Sequence, residues 1–168
     1  MIPGLSRNPK FPKLVVFDLD YTLWPFYIDT HVTPPFRHSS NGKIVDHFGK
    51  KVEIYPQVPE VLEHLHKEGV QMAVASRTTE LEGAQQLTSL LGWDKYFKFK
   101  EIYPGSKVAH FQKFKEYTGL AFSDMLFFDD ESRNITDLKK LNVTSILVNN
   151  GMTMRLLMEG LNQFARSS

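Results

Sequence analysis

The chain has 168 residues, 42% of them apolar and 23% charged, which suits one ordinary hydrophobic core and is too short for two large domains. Twenty Lys plus Arg against nineteen Asp plus Glu leave a net charge of +1, so no global field gathers nucleic acid or an anionic membrane, and neither is an expected partner. With no cysteine, disulfides, thiolate metal sites and a thiol nucleophile are excluded, and a reducing, cytoplasmic location is the expectation.

Residues 1–12 carry three prolines and no apolar run of signal-peptide or membrane-spanning length, and read as a flexible tail ahead of a single domain over residues 13–168. Leu14-Val15-Val16-Phe17 is a β-branched, wholly apolar run that stops at Asp18-Leu19-Asp20, the pattern of a strand buried on both faces. Residues 21–55 lack helical periodicity and hold Pro25, Pro34, Pro35, Asn41-Gly42 and Phe48-Gly49, which predicts a flap of loops around a small hairpin.

Val58, Val61, Leu62 and Leu65 then fall at helical spacing before Gly69, and a strand is expected over residues 70–75. Thr79 and Glu82 have the spacing of a capping box for a helix with Leu81, Ala84, Leu87 and Leu91 on its apolar side. A strand over residues 96–102 leads to Ser106, the expected cap of a helix bearing Val108, Phe111, Phe114 and Tyr117. Met125 to Phe128 repeats the first strand's design and ends in Asp129-Asp130-Glu131. A helix with Ile135, Leu138 and Leu141, a strand over residues 143–148 and a helix with Met154, Leu157, Leu161 and Phe164 complete the chain.

Alternating strands and helices, with several continuous apolar strands, imply an α/β fold with a parallel sheet covered on both faces. Ligands in such folds bind outside the carboxyl ends of the strands. Those ends deliver Asp18 with Asp20, Ser76 with Arg77, and Asp129 with Asp130, while Lys107 lies at a helix start. Side chains alternate along a strand, so Asp18 and Asp20 share a direction while Leu19 turns into the core. Clustered carboxylates repel unless a cation relieves them, and an oxygen-only set suits a hard ion such as Mg²⁺. Ser76 as a neutral donor and Lys107 as a point charge suit a phosphoryl group, which points to aspartyl-phosphate chemistry.

The order Asp18-Leu19-Asp20-Tyr21-Thr22-Leu23, Ser76, Lys107, Asp129-Asp130 resembles the four motifs of the haloacid dehalogenase (HAD) superfamily. The segments DLDYTLWPF, Ala75-Ser76-Arg77-Thr78, IYPGSKV and Phe127 to Glu131 are similar to its eukaryotic magnesium-dependent phosphatase branch. The resemblance implies a three-layer Rossmann-like HAD fold with the first motif's strand at the sheet centre. It makes Asp18 the nucleophile and Asp20 the general acid and base. Mg²⁺ would be held by Asp18, the Asp20 carbonyl and Asp130, with Asp129 behind as partner to Lys107 or to a metal-bound water. Ser76, Lys107, Arg77 and the backbone N–H groups near Leu19 and Asp20 would hold phosphoryl oxygens.

Taken singly, each of these residues has an ordinary explanation: Asp18 and Asp20 as a turn pair, Ser76 as a helix cap, Lys107 as a solvated lysine, Asp129-Asp130 as a helix start. Their joint order favours chemistry. Trp24, Phe26 and Tyr27 read more readily as packing than as a platform for an aromatic substrate. The gaps between motifs, about 35 and about 30 residues, leave no room for a large cap domain, so the site is expected to be open. An open site suits a phosphotyrosine-type protein side chain or a small sugar-type phosphomonoester. A receiver-like phosphoacceptor domain and a catalytically silent HAD binding module are the alternatives, and oligomeric state is left open.

Overall fold

The computed structural model describes residues 10–167. Five parallel strands form the central sheet: β1 (Leu14–Phe17), β4 (Gln71–Ser76), β5 (Phe97–Ile102), β6 (Met125–Asp129) and β7 (Thr144–Leu147). Their spatial order is β5-β4-β1-β6-β7, which puts the strand leading to Asp18 at the centre. It is flanked by β4 on one side and β6 on the other, with Phe17 opposite both Val74 and Phe128.

The period-two alternation of β1 divides the core into two layers. Val15 and Phe17 join the larger cluster beneath α1 (Val58–Lys67), α2 (Leu81–Leu90) and α5 (Met154–Arg166). Leu14 and Val16 join the opposite cluster beneath α3 (Lys107–Thr118) and α4 (Ser132–Lys139). Helix α5 comes close to the sheet at Gly160, where a Cβ would stand 2.6 Å from the Phe128 ring. At about 25 cal/mol per Å² of apolar surface, a sheet covered on both faces is the main source of stability here.

Between β1 and α1 the flap carries a two-residue hairpin, β2 (Arg37–His38) against β3 (Ile44–Val45). Ile28, Val32 and Phe36 of the flap join the larger core cluster, and polar contacts tie its loops. The buried Asp46 carboxylate accepts from the N–H groups of Thr33, Phe48 and Lys50 at 2.9–3.0 Å. The Gln86 amide, on α2, both donates to and accepts from the Phe36 backbone at 3.0 and 2.7 Å. The flap is thus pinned to the body of the domain.

Several local expectations are corrected. Glu80, not Thr79, caps α2, accepting from Gly83 N–H, while Thr79 donates across to Asp29 on the flap; the predicted Thr79–Glu82 box does not form. Leu141 lies beyond α4, Leu91 is the residue after α2, and Val70, Val143 and Val148 flank strands rather than belonging to them. Tyr117 is exposed and stacks on Phe99 at 5.6 Å instead of entering the core. Of the tail expected over residues 1–12, residues 1–9 lie outside the described residues. Pro12 is buried and the Lys10 ammonium sits over the Phe164 ring, so this part packs onto the domain. Among the described residues no helix is long and apolar enough to cross a membrane.

Candidate active site

Because β1, β4 and β6 run parallel, their carboxyl ends share one rim, and the start of α3 lies beside them. Asp18 continues the β1 ladder by one residue, its N–H donating to the Phe128 carbonyl at 3.0 Å. The chain then turns tightly. The Leu19 carbonyl accepts from the N–H groups of Thr22 and Leu23, and Tyr21 takes the left-handed conformation at φ 59°. Leu19 buries its side chain in the core as expected. Its N–H and that of Asp20 have no protein partner among the described residues.

Asp18 and Asp129 meet at Lys107, whose ammonium lies 3.1 Å from Asp18 Oδ1 and 2.6 Å from Asp129 Oδ2. The lysine is 1% exposed, which removes the reading of it as a solvated surface residue. Burial works against its charge, but Asp18 and Asp129 outweigh this and hold the ammonium above its ordinary range. Burial likewise pushes the Asp18 carboxyl well up, reinforced by the charge of Asp129 and opposed by Lys107. Asp18 Oδ2 accepts from the buried Thr22 hydroxyl at 3.1 Å.

Asp129 is fully engaged: Oδ2 also accepts from the Asn134 amide at 3.0 Å, and Oδ1 from Glu131 N–H at 2.9 Å. Asp130 is the freer of the pair. Its carboxyl is pushed up to about 6, chiefly by burial, with a hydrogen bond to Asp18 opposing and the charges of Asp129 and Glu131 adding. Asp20 is held differently, accepting from the Trp24 indole N–H at 2.7 Å and from Ile28 N–H at 3.1 Å. Burial nevertheless pushes it up to about 6, against both bonds.

Ser76 is buried at the end of β4, and its Oγ accepts from Thr78 N–H at 3.2 Å, which leaves its hydroxyl proton free to donate. Arg77 has no carboxylate partner among the described residues; its guanidinium reaches the Asn134 amide oxygen at 3.4 Å. Arg133 pairs with Glu131 at 3.2 Å in solvent. These groups line a cleft of about 240 Å³ in which six acidic side chains outnumber three basic ones. Asp18, Asp129 and Asp130 each offer a carboxylate oxygen, the three lying within 4.8 Å of one another. An oxygen-only donor set with excess negative charge fits a hard divalent cation.

The sequence-predicted residues Asp18, Asp20, Ser76, Arg77, Lys107, Asp129 and Asp130 are therefore brought to one cleft. The aromatic group divides: Trp24 and Phe26 are buried and stacked at 5.4 Å, whereas Tyr27 is 44% exposed on the rim. Trp24 is also more than filler, since its N–H holds Asp20. Thr22 stands in the first motif without an expected role, and Asn134 lies outside all four motifs. Asn134 carries one signal, lying four residues before Leu138 on the apolar stripe of α4, where a surface amide does not belong.

The sequence model of the family described as Acid Phosphatase matches residues 10–167. The chain belongs to that family. Magnesium-dependent phosphatase 1 of Homo sapiens is 55% identical over 158 residues, covering 94% of this chain and 90% of the human protein. A HAD-like hydrolase superfamily protein of Schizosaccharomyces pombe is 40% identical, covering 83% and 87%. Among solved structures, the N-terminal part of a Bacteroides fragilis protein, containing a phosphatase domain and complexed with Mg, superposes with a TM-score of 0.65 at 19% identity. That match covers 95% of this chain and 42% of the other. The phosphatase is thus a HAD-superfamily member of the magnesium-dependent branch, with the five-stranded parallel sheet of that fold and no large cap.

Proposed function

We propose that the phosphatase is a Mg²⁺-dependent phosphomonoester hydrolase that works through an aspartyl phosphate on Asp18. The observation that carries this reading is the position of Asp18, one carboxylate oxygen on Lys107 and the other on Thr22, at the floor of a cleft that Ser76 and Arg77 also line. An Asp18 oxygen attacks phosphorus while the bond to the leaving oxygen breaks, and Asp20 supplies that oxygen's proton. Water then attacks the phosphorus of the acyl phosphate, Asp20 takes its proton, and inorganic phosphate leaves with Asp18 restored. A carboxyl held near 6 suits both halves of the cycle.

Asp18, the backbone carbonyl of Asp20 and Asp130 would hold the Mg²⁺, which when bound offsets the repulsion between a carboxylate and a phosphate dianion. Asp129, with both of its carboxylate oxygens engaged, is the partner that fixes Lys107. Ser76, Lys107, Arg77 and the N–H groups of Leu19 and Asp20 bind phosphoryl oxygens. The open cleft and the exposed Tyr27 ring favour a phosphotyrosine-type side chain over a sugar-type phosphomonoester.

The test is phosphate release from an artificial aryl phosphate with Mg²⁺. Steady multiple turnover is expected, with Asp18→Asn lowering kcat by at least about 10⁴-fold in a folded protein. A single equivalent of phosphate taken up and retained would mean a receiver-like phosphoacceptor, and no reaction would mean a silent module. A panel of phosphopeptides and sugar phosphates, ranked by kcat/KM, decides the substrate class.

A further inference from the structure

The chemistry above does not use one buried titratable side chain on the same helix as Lys107. His110 lies on α3 three residues after Lys107 and is fully buried. Its ring stacks on that of Tyr103, with centroids 4.3 Å apart and planes within 8°. Nε2 lies 2.9 Å from the carbonyl oxygens of both Ser76 and Tyr103, and Nδ1 lies 3.0 Å from that of Ser106.

Every one of these neighbours is an acceptor. Burial pushes the imidazole below its ordinary range, with the carbonyl of Ser106 opposing, the nearby Lys107 charge in support and the carbonyls of Ser76 and Tyr103 opposing, which favours a neutral ring with one proton to give. Two of the three acceptors converge on Nε2, which assigns the proton there. The Ser76 carbonyl already accepts from Tyr103 N–H at 3.0 Å, so it needs no second donor merely to be satisfied. What the imidazole adds is a tie between segments. Ser76 ends β4 and precedes Arg77, Tyr103 follows β5, and Ser106 caps the helix that begins with Lys107.

We propose that His110 is a positioning residue for phosphoryl binding: its Nε2–H clamps the Ser76 peptide to the turn before α3 and so sets the Ser76 hydroxyl against the Lys107 ammonium. This rests on the reading that Ser76 and Lys107 hold phosphoryl oxygens. A glutamine at 110 can place its amide nitrogen where Nε2 stands, whereas an asparagine is too short and a leucine has no donor.

The test compares His110→Gln, His110→Asn and His110→Leu by melting temperature, by kcat and KM on an aryl phosphate, and by the binding of inorganic phosphate in the presence of Mg²⁺. His110→Gln is expected within about 3-fold of wild type in phosphate affinity and kcat. His110→Asn and His110→Leu should lose about 10-fold or more in both, since misplacement on the 1 Å scale costs up to about 100-fold. In a Ser76→Ala background, His110→Leu should weaken phosphate binding no further. The proposal is overturned if all three variants lose function only in proportion to melting temperature, or if Asn and Gln behave alike. It is equally overturned if the Leu and Ala effects add. Should the leucine variant not fold, the Gln against Asn contrast still decides. A Ser76→Ala protein with undiminished phosphate affinity removes Ser76 from the phosphate site and the clamp with it. Wild type that binds phosphate but turns over no ester refutes the hydrolase reading alone.

Discussion

The two carboxylates of the Asp-x-Asp pair differ because their immediate partners differ. Asp18 shares a proton-rich floor with Lys107 and Thr22, while Asp20 is tethered by an indole N–H and one amide. If Asp20 delivers the proton, Asp20→Asn should lose about 10²–10⁴-fold in kcat on alkyl phosphates, whose leaving groups need it, and much less on nitrophenyl phosphate. A leaving-group series measures this, and equal losses across the series remove Asp20 from the acid role. Trp24→Phe keeps an aromatic ring in the stack, though a smaller one, and deletes the donor on Asp20 Oδ1, so it should reproduce a weaker form of the same leaving-group dependence. Loss of rate without that dependence would assign Trp24 to packing alone.

At the scale of elements, what was legible in the sequence follows from what each strand touches. Leu14 to Phe17 and Met125 to Phe128 declare themselves because both faces of a central parallel strand are buried, leaving no polar positions to blur the pattern. The acidic residues at their ends were legible for the complementary reason: charge directly after a buried run must face a ligand or water. Asn134 and His110 were not, because a polar residue in a helix reads as surface until the neighbouring strand ends are in place. The Glu80 cap was missed since Thr79 and Glu82 have equally good cap chemistry one residue out of frame. The flap was visible only as an absence of periodicity, yet its loops gather on one buried carboxylate, that of Asp46. Burial raises Asp46, but the bonds from three N–H groups and the Lys50 charge outweigh this and leave it below the usual carboxylate range. The folded flap therefore binds that proton less readily than the open one. Its stabilisation is fully present above the ordinary carboxylate pKa of about 3.9 and is lost as pH falls through the lowered folded value. Amide exchange at Thr33, Phe48 and Lys50 should thus stay protected from neutral pH down to about 4 and rise below it. Asp46→Ala should lose that protection at every pH, by about 1–3 kcal/mol. Protection undiminished at pH 2 would mean that the carboxylate does not organise the flap.

For the whole molecule, a net charge of +1 conceals a cleft in which six acids face three bases. That imbalance makes the fold itself a reporter of metal binding. Without a divalent ion, Asp18, Asp129 and Asp130 repel one another with Lys107 in contact with only two of them, so the cleft is a place where the folded state is electrostatically uncomfortable. Mg²⁺ held as proposed would bind only where those oxygens are assembled, and at a hundred times its Kd should add about 2.7 kcal/mol to folding. For a chain of this size that is a rise in Tm of about 5–10 °C, reversed by a chelator together with activity. Asp130→Asn separates ligation from repulsion. It removes one of the crowded charges, so the metal-free Tm should stay level or rise, and it removes a proposed ligand, so the response to Mg²⁺ should nearly vanish. Asp29→Asn, on the cleft rim and hydrogen-bonded to Thr30 and Thr79, should keep the full response. If instead Asp130→Asn melts like wild type with and without Mg²⁺, the ion is not held by that carboxylate. Its place would then pass to Asp129, at the expense of the engagements with Lys107, Asn134 and Glu131 that now account for both of its oxygens.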